Sequence, residues 1–396
     1  MLNLPFFKSA PKNKYLTIDF GSDTIKCLAF YHDGTANKII GFGKQQVEKG
    51  HIRSGSIIDI EGVDLSLREA VAQATQNSAD DIDQAIVGLN GSFLINQLVT
   101  ARLMRGKSSD IPEGELEDIY ERTVKSSTEQ AYTELVKTTG SNDIDLELVT
   151  AEKAYVRVDD RPIHKDTKPA GNKVEMAVFT SFAPVFQMKN LSKLLKKSGL
   201  KIIGVVPEMY SLTKSLNQQR AGANDYLIIN VGSDKTEIGV VFGGNLISTK
   251  SLPIGGYHFT YQMSHVLGLS LKEAENLKKS YSQGKLPNSE SLTIQNCFTE
   301  ILETWLSGIE IAFGEFSGVK TFSSKIYLTG GGINLPDAYD YLTSEPWTKS
   351  IPFKDTPVFE KINAKDMLGI HDETQMVNSA EWVMPASLSN IFTNLV

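Results

Sequence analysis

Two stretches of this chain carry residues suited to holding phosphate. Tyr15 opens YLTIDFGSDTIKCLAF and Tyr226 opens YLIINVGSDKTEIGVV. Both run from an apolar, β-branched strand into a Gly-Ser-Asp turn, Gly21-Ser22-Asp23 in one copy and Gly232-Ser233-Asp234 in the other. A tight turn of this kind exposes backbone N–H groups in a concave nest suited to phosphate oxygens. Two such turns facing each other across a cleft would clamp the phosphates of one nucleotide from both sides. Asp19, at the end of its strand, is well placed to hold Mg2+ directly or through water, since magnesium takes a few carboxylates together with substrate phosphates. Lys26 and Lys235 would add positive charge nearby. A third cluster, Gly330-Gly331-Gly332, follows the apolar run Lys325–Thr329 and leads through Ile333-Asn334-Leu335-Pro336 into a helical pattern. Three consecutive glycines let a backbone approach a flat ligand and take positive φ, which suits an adenosine contact once the two phosphate turns are considered with it.

The elements that must position these turns repeat in the same order. After each turn comes a second apolar strand, over 25–30 and 238–242. A further turn, His32-Asp33-Gly34 or Gly243-Gly244-Asn245, leads into a third strand. The two copies are too far apart for a solenoid and at the spacing of a duplicated domain. The expected architecture is therefore α/β, two homologous lobes facing across a cleft. Residues 14–83 and 185–215 form the first lobe; 222–258 and 319–396 form the second. Residues 259–318 read as a helical block of the second lobe. Residues 84–184 leave the duplicated pattern and read as strand, helix, strand, strand, a small α+β insert. Its helix runs through 115–135, with Leu116, Ile119, Tyr120 and Val124 at helical spacing.

Composition narrows the function classes. The chain has 396 residues, enough for two to four globular units, with 41% hydrophobic and 22% charged residues, which excludes disorder over most of its length. Cys27 and Cys297 make no disulfide framework and suit a reducing cytoplasm. A net charge of −7 without a basic stripe argues against nucleic acid as a partner. No apolar run is long enough to span a bilayer, and residues 1–14 lack the pattern of a secretory signal. His258 and His265 have no metal-site company and read as structural. Leu388, Ile391, Phe392 and Leu395 recur at helical spacing in a stretch without Lys or Arg. They are expected to pack in the core rather than lie on anionic lipid. Leu2, Leu4, Phe6 and Phe7, followed by Lys8, Lys12 and Lys14, are the other candidate for a short membrane or partner contact.

These motifs together resemble the FtsA family of bacterial cell-division proteins within the actin-like ATPase superfamily. Asp19-Phe20-Gly21-Ser22, with Thr24 and Lys26, is similar to the superfamily's first phosphate motif. Asn230-Val231-Gly232-Ser233-Asp234-Lys235-Thr236-Glu237 occupies the second, and Ile326–Gly332 matches the adenosine motif. Ala274-Glu275-Asn276-Leu277-Lys278 looks like the helical signature that sets Glu275 and Lys278 beside the ribose. Val205-Val206-Pro207-Glu208 resembles the first connecting segment between lobes. The stretches Ile40-Gly41-Phe42-Gly43, Ser54–Asp59 and Ile86–Gly91 also look like the FtsA amino-terminal lobe. The resemblance implies a duplicated actin-like (ribonuclease H-like) fold and ATP with Mg2+ as cofactors. It implies Asp19 and Glu208 as catalytic candidates, and adds Asp23, Gly255, Gly256 and Asn334 to the nucleotide-binding set. The implied partners are the FtsZ C-terminal tail at the 259–318 block, other copies of the chain, and other division proteins through the insert. A cytoplasmic position at the inner face of the membrane goes with them, although no clear amphipathic anchor is present. Asn230 stands where the family carries Asp, and Lys235 and Glu237 change the charges beside it, so slow or absent hydrolysis is expected. The altered second motif and the missing basic tail suit a PilM-like scaffold of type IV pilus assembly as the alternative. A small-molecule kinase is disfavoured, because no substrate-base Asp is evident.

Overall fold

In the computed structural model the described residues are 14–78, 80–163, 169–219, 225–316, 318–344 and 346–395. The amino-terminal peptide with Leu2, Leu4, Phe6 and Phe7, and part of the polar loop of the insert, lie outside them. The first lobe begins with β1 (Lys14–Phe20), β2 (Thr24–His32) and β3 (Asn37–Gln46), a short hairpin β4 (Ile52–Arg53) and β5 (Ser56–Ile57), α1 (Ile60–Thr75) and β6 (Gln84–Leu89). The insert comes next as β7 (Ile95–Asp110), α2 (Glu113–Thr139), β8 (Leu146–Val158), β9 (Arg161–Pro162) and β10 (Ala170–Pro184). The chain then returns through α3 (Val185–Lys197), β11 (Lys201–Pro207) and α4 (Glu208–Gln219). The second lobe holds β12 (Tyr226–Val231), β13 (Thr236–Phe242), β14 (Asn245–Leu252), α5 (Gly256–Leu267), α6 (Leu271–Ser282), α7 (Asn288–Gly314), β15 (Lys325–Thr329), α8 (Pro336–Ser344) and β16 (Val358–Lys361). Last come β17 (Ile370–Asp372) and α9 (Val383–Leu395).

The sheets make the duplication explicit. The first runs β11-β6-β1-β2-β3-β17, and the second contains β16-β15-β12-β13-β14 before continuing into β7-β10-β8-β9. In each lobe three antiparallel strands are followed by two that join parallel to the first, β6 and β11 in one, β15 and β16 in the other. The near-continuous apolar runs of β1 and β12 result from burial on both faces. One face of the first sheet is covered by α1 and α3, around Leu16, Ile18, Leu67 and Leu194. The second sheet is covered by α5 and α7, around Trp305, Phe259 and Phe298. Between the lobes lies a shared core built on α4 and α9, with Tyr15, Tyr226, Tyr327 and Leu388.

Two domain limits expected from the sequence differ from those observed. The sequence pattern puts β6 in the insert, yet it pairs with β1 and β11 in the middle of the first sheet, so the insert begins after Leu89. The same pattern puts the carboxy-terminal stretch in the second lobe, but β17 pairs with β3 and α9 packs against α4, β1 and β6. The cause is the apolar face of α9. Phe392 lies 4.4 Å from the Tyr15 ring and 5.8 Å from Phe30 (centroid distances), and Leu388 and Ile391 are buried beside it. The helix is thus a core element, as expected from its lack of basic residues.

Gly41 and Gly43 explain the glycine spacing of β3. A Cβ on Gly43 would clash with the Ala70 carbonyl, and one on Gly41 with that of Ala74, so α1 lies directly on the strand backbone. Gly43→Ala is expected to destabilise the protein by about 1–3 kcal/mol in urea unfolding, the usual cost of overpacking. Gly106→Ala, which meets nothing within 4 Å, is expected to stay within about 0.5 kcal/mol of the parent.

Candidate functional site

Four elements of the first lobe meet at one buried polar cluster. Asp19 at the end of β1 opposes Lys26 on β2 in the antiparallel register, and their side chains pair at 2.9 Å with almost no access to water. Burial alone would lower the Lys26 pKa, but the attraction of Asp19, aided by Glu381 and Glu208, outweighs it and raises the pKa overall. Asn90, just after β6, donates to Asp19 Oδ1 at 3.4 Å and to Glu208 Oε2 at 3.1 Å. Glu208 is the first residue of α4, immediately after Pro207 ends β11. Burial, reinforced by the charge of Asp19, pushes its pKa well above the carboxylate range, and its Oε1 has no hydrogen-bond partner among the described residues. Gly88 leaves room for it, since a Cβ there would come within 2.5 Å of that oxygen.

The first turn is closed tightly, with a Gly21 Cβ excluded by the Thr24 carbonyl at 2.6 Å. The second is closed by Gly232 N–H donating to the Lys235 carbonyl at 2.9 Å. Around it several glycine backbones converge. Gly256 and Tyr257 donate backbone N–H groups to the Gly232 and Ser233 carbonyls at 2.9 and 2.8 Å. A Cβ on Gly255 would come within 2.6 Å of Gly232 O, and one on Gly332 within 3.0 Å of Val231 O. Gly330, at φ +93°, lies against the Asn230 side-chain oxygen. Gly331 is open by comparison, with only Glu381 nearby. Asn334 ends the short 3-10 turn after the cluster, its N–H bonded to Gly331 O at 3.3 Å.

The helical pair also arrives here. Ser270 and Glu273 form a reciprocal cap that sets the start of α6. One turn on, Lys278 donates to Gly256 O and Thr260 Oγ1, both at 2.7 Å, and pairs with Glu275 at 2.8 Å. Burial alone would raise the Glu275 pKa, but Lys278 and the Thr260 hydroxyl bring it below the usual range.

Two expected contributors are turned to other work. Lys235 and Glu237 lie buried 3.6 Å apart, with Lys235 Nζ and Glu237 Oε2 lacking hydrogen-bond partners among the described residues. Burial raises the Glu237 pKa despite Lys235. The Thr236 hydroxyl donates to Ile254 O at 2.7 Å and accepts from Trp305 Nε1 at 2.8 Å, which commits it to the core.

The lobes touch across the cleft through a hairpin to which the sequence motifs assign no role. Ser54 and Gly55, at φ +47° and +83°, form the tight link between β4 and β5. The backbone N–H of Ser54 donates to Asp234 Oδ2 of the second turn at 2.7 Å. Gly55 rests on Asn90-Gly91, where a Cβ would meet Gly91 Cα at 2.5 Å. Lys49 extends its ammonium over the Tyr257 ring, 3.3 Å from the centroid. Asn90, Ser54, Lys49, Tyr257 and Glu381 are therefore site residues that the motifs do not reveal. The Asn-Gly pair directly after a strand that adjoins β1 is the one available signal.

The convergent glycine backbones fit a nucleotide, and Glu208 Oε1 has no hydrogen-bond partner among the described residues. Among the described residues no group of three or more metal-ligating side chains is present. A magnesium ion held by one carboxylate and phosphate oxygens needs no such group.

The raised pKa of Glu208 has a definite sign in stability. Between the unfolded value near 4.5 and the higher folded value, the folded state holds a proton that the unfolded state has lost. Stability therefore falls as pH rises through that window, by up to about 1.4 kcal/mol per pH unit. Urea unfolding from pH 5 to 8 is expected to show this decline in the parent and a flatter profile in Glu208→Gln. Parallel profiles would contradict the buried, protonated carboxyl.

Comparison with known proteins agrees with this geometry. A sequence profile for "Cell division protein FtsA" matches residues 227–302. FtsA of Streptococcus pneumoniae is 25% identical over 280 residues, 70% of this chain and 58% of that protein. FtsA of Bacillus subtilis is 26% identical over 271 residues, covering 67% and 57%, so the chain spans under three fifths of the length of these relatives. FtsA of Enterococcus hirae is 26% identical over 353 residues, covering 84% and 76%. Among solved structures, the PilM-PilN type IV pilus biogenesis complex superposes with a TM-score of 0.66 at 14% identity, over 96% of this chain and 98% of that one. The ethanolamine utilization protein EutJ of Carboxydothermus hydrogenoformans gives 0.53 at 12% identity, over 96% and 91%. The chain is thus similar in sequence to FtsA cell-division proteins and has the duplicated actin-like fold.

Proposed function

We propose that this chain is an ATP-binding, FtsA-like cell-division protein that polymerises and links FtsZ filaments to the inner face of the cytoplasmic membrane, with slow or absent hydrolysis. What supports the reading is the convergence of the second Gly-Ser turn, Gly255-Gly256 and the third glycine cluster, with the first-lobe hairpin bonded to Asp234, in a chain similar to proteins named for cell division. Bound ATP with Mg2+ would supply a polyphosphate bridging the lobes. Gly21, Ser22, Asp23 and Thr24 would face it from the first lobe, with Asp19, held by Lys26, toward the metal. Asn230, Gly232, Ser233 and Asp234 would frame it from the second, with Lys235 and Thr236 offering backbone alone. Gly255, Gly256, Glu275, Lys278, Gly330, Gly331, Gly332 and Asn334 would take the nucleoside. Glu208, paired with Asp19 through Asn90, is the candidate for orienting water. Burial and the charge of Asp19 raise the Glu208 pKa, and Asn230 brings no charge, which supports slow turnover. Among the described residues no helix is long and apolar enough to cross a membrane.

A PilM-like scaffold is the second reading. It is favoured by the fold match over nearly the whole of both chains, where the FtsA relatives are matched over only part of their length.

Co-sedimentation with polymerised FtsZ, with and without the FtsZ tail, tests the first reading. Pelleting that depends on the tail is the expected result; ATP binding without any pelleting would overturn the division role and favour the pilus scaffold. Steady-state turnover of Mg2+-ATP is expected to be indistinguishable between the parent and Glu208→Gln. A saturable activity lost in that variant would contradict slow hydrolysis.

A further inference from the structure

The cations around the cleft differ in what they are free to do. Lys26 is locked to Asp19 at 2.9 Å, and Lys235 is buried against Glu237. Drawing either toward a ligand would strand a buried carboxylate, a costly step. Lys278 already donates to Gly256 O and Thr260 Oγ1 and pairs with Glu275. Lys49 is different. It sits between β3 and β4, remains exposed, and among the described residues has no ion pair or hydrogen bond at its ammonium. Its contact is the face of Tyr257, a weak one to relinquish at an exposed site. Tyr257 is itself held to the second turn by its N–H bond to Ser233 O at 2.8 Å, so Lys49 stands over that turn from the opposite lobe. The charges that act on it come from both turns and from the nucleoside side. Asp234 and Asp23 attract it, while Arg53 and Lys278 repel it. With the partial loss of hydration over Tyr257 as the largest cause, its pKa is lowered overall. An ammonium whose present contact is only a ring face gains from a directly contacting anion.

We infer that Lys49 is the residue that reads the charge of the cleft's ligand, engaging the phosphates of a nucleoside polyphosphate from the first lobe and so favouring polyphosphates over the bare nucleoside. This rests on the nucleotide reading of the cleft. Lys49 moves from the Tyr257 face to a phosphate oxygen, and no bond is made or broken. The lobe contact between Ser54 and Asp234 stays in place to hold the hairpin where Lys49 can reach.

Calorimetric titration of the full chain with ATP, ADP, AMP and adenosine, for the parent, Lys49→Gln and Lys49→Arg, tests it. Lys49→Gln is expected to weaken ATP by about tenfold, the size of one lost charge-assisted hydrogen bond. The penalty shrinks along the series and vanishes for adenosine, and Lys49→Arg restores most of the ATP affinity. Unchanged ATP affinity in Lys49→Gln, with the parent binding normally, would overturn the inference and leave the nucleotide reading intact. So would an equal loss for ATP and adenosine, which would make Lys49 a lobe-closing contact through Tyr257. A parent that binds none of the four ligands would overturn the nucleotide reading and this inference with it.

Discussion

The Lys26 ammonium lies 2.9 Å from Asp19 inside the first lobe, nearly sealed from water, and the site is arranged around the need to keep it paired. Removing one member of a buried pair leaves an uncompensated charge, at a cost of about 3–5 kcal/mol. The pair therefore fixes β1 against β2 at the very turn that faces the cleft. One ammonium faces two carboxylates in a small volume, and burial together with the charge of Asp19 raises the Glu208 pKa. Asn90 completes the arrangement, because its side-chain N–H groups satisfy an oxygen on each acid. Four separate elements thus owe their mutual placement to one charge.

The second lobe solves the same problem with its charges rearranged. Asn230 occupies the register position of Asp19, and Glu237 that of Lys26. The carboxylate has crossed to the neighbouring strand, and Lys235, two residues before it on the same face, supplies the cation. Each lobe keeps a buried acid–base pair beneath its Gly-Ser turn. In the first lobe the acid also accepts from Asn90, whereas Glu237 Oε2 has no hydrogen-bond partner among the described residues. The asymmetry gives the duplicated fold a polar and a structural half.

Features set by local chain chemistry are legible in the sequence. The two strand–turn–strand units, the glycine cluster after β15, and the capped helix carrying Glu275 and Lys278 all arise from spacing within about a dozen residues. The alternation and turn residues that define them act locally. Contacts between distant segments escape such a reading. Ser54 reaches Asp234 across 180 residues, and nothing in either local sequence marks the other. β6 reads as the opening strand of the insert because a second strand-like run, β7, comes soon after it; only its parallel pairing with β1 assigns it to the first lobe. The amphipathic pattern of α9 announces a buried helix but not which sheet buries it. Lys235 and Thr236 mislead for a related reason. Their types suit phosphate, but the core beneath the turn, with Trp305 and Ile254, claims the Thr236 hydroxyl, and Glu237 claims the ammonium.

The hairpin Ser54-Gly55 ties the second turn to Asn90-Gly91 of the first lobe, and on the proposed reading one ligand is gripped by both lobes at once. Amide hydrogen exchange of the intact chain, with and without Mg2+-ATP, addresses it most directly. Simultaneous protection at 19–26, 230–236 and 330–334, with the insert unaffected, is the predicted result. Protection confined to one lobe, or none at saturating ATP, would contradict a shared inter-lobe site.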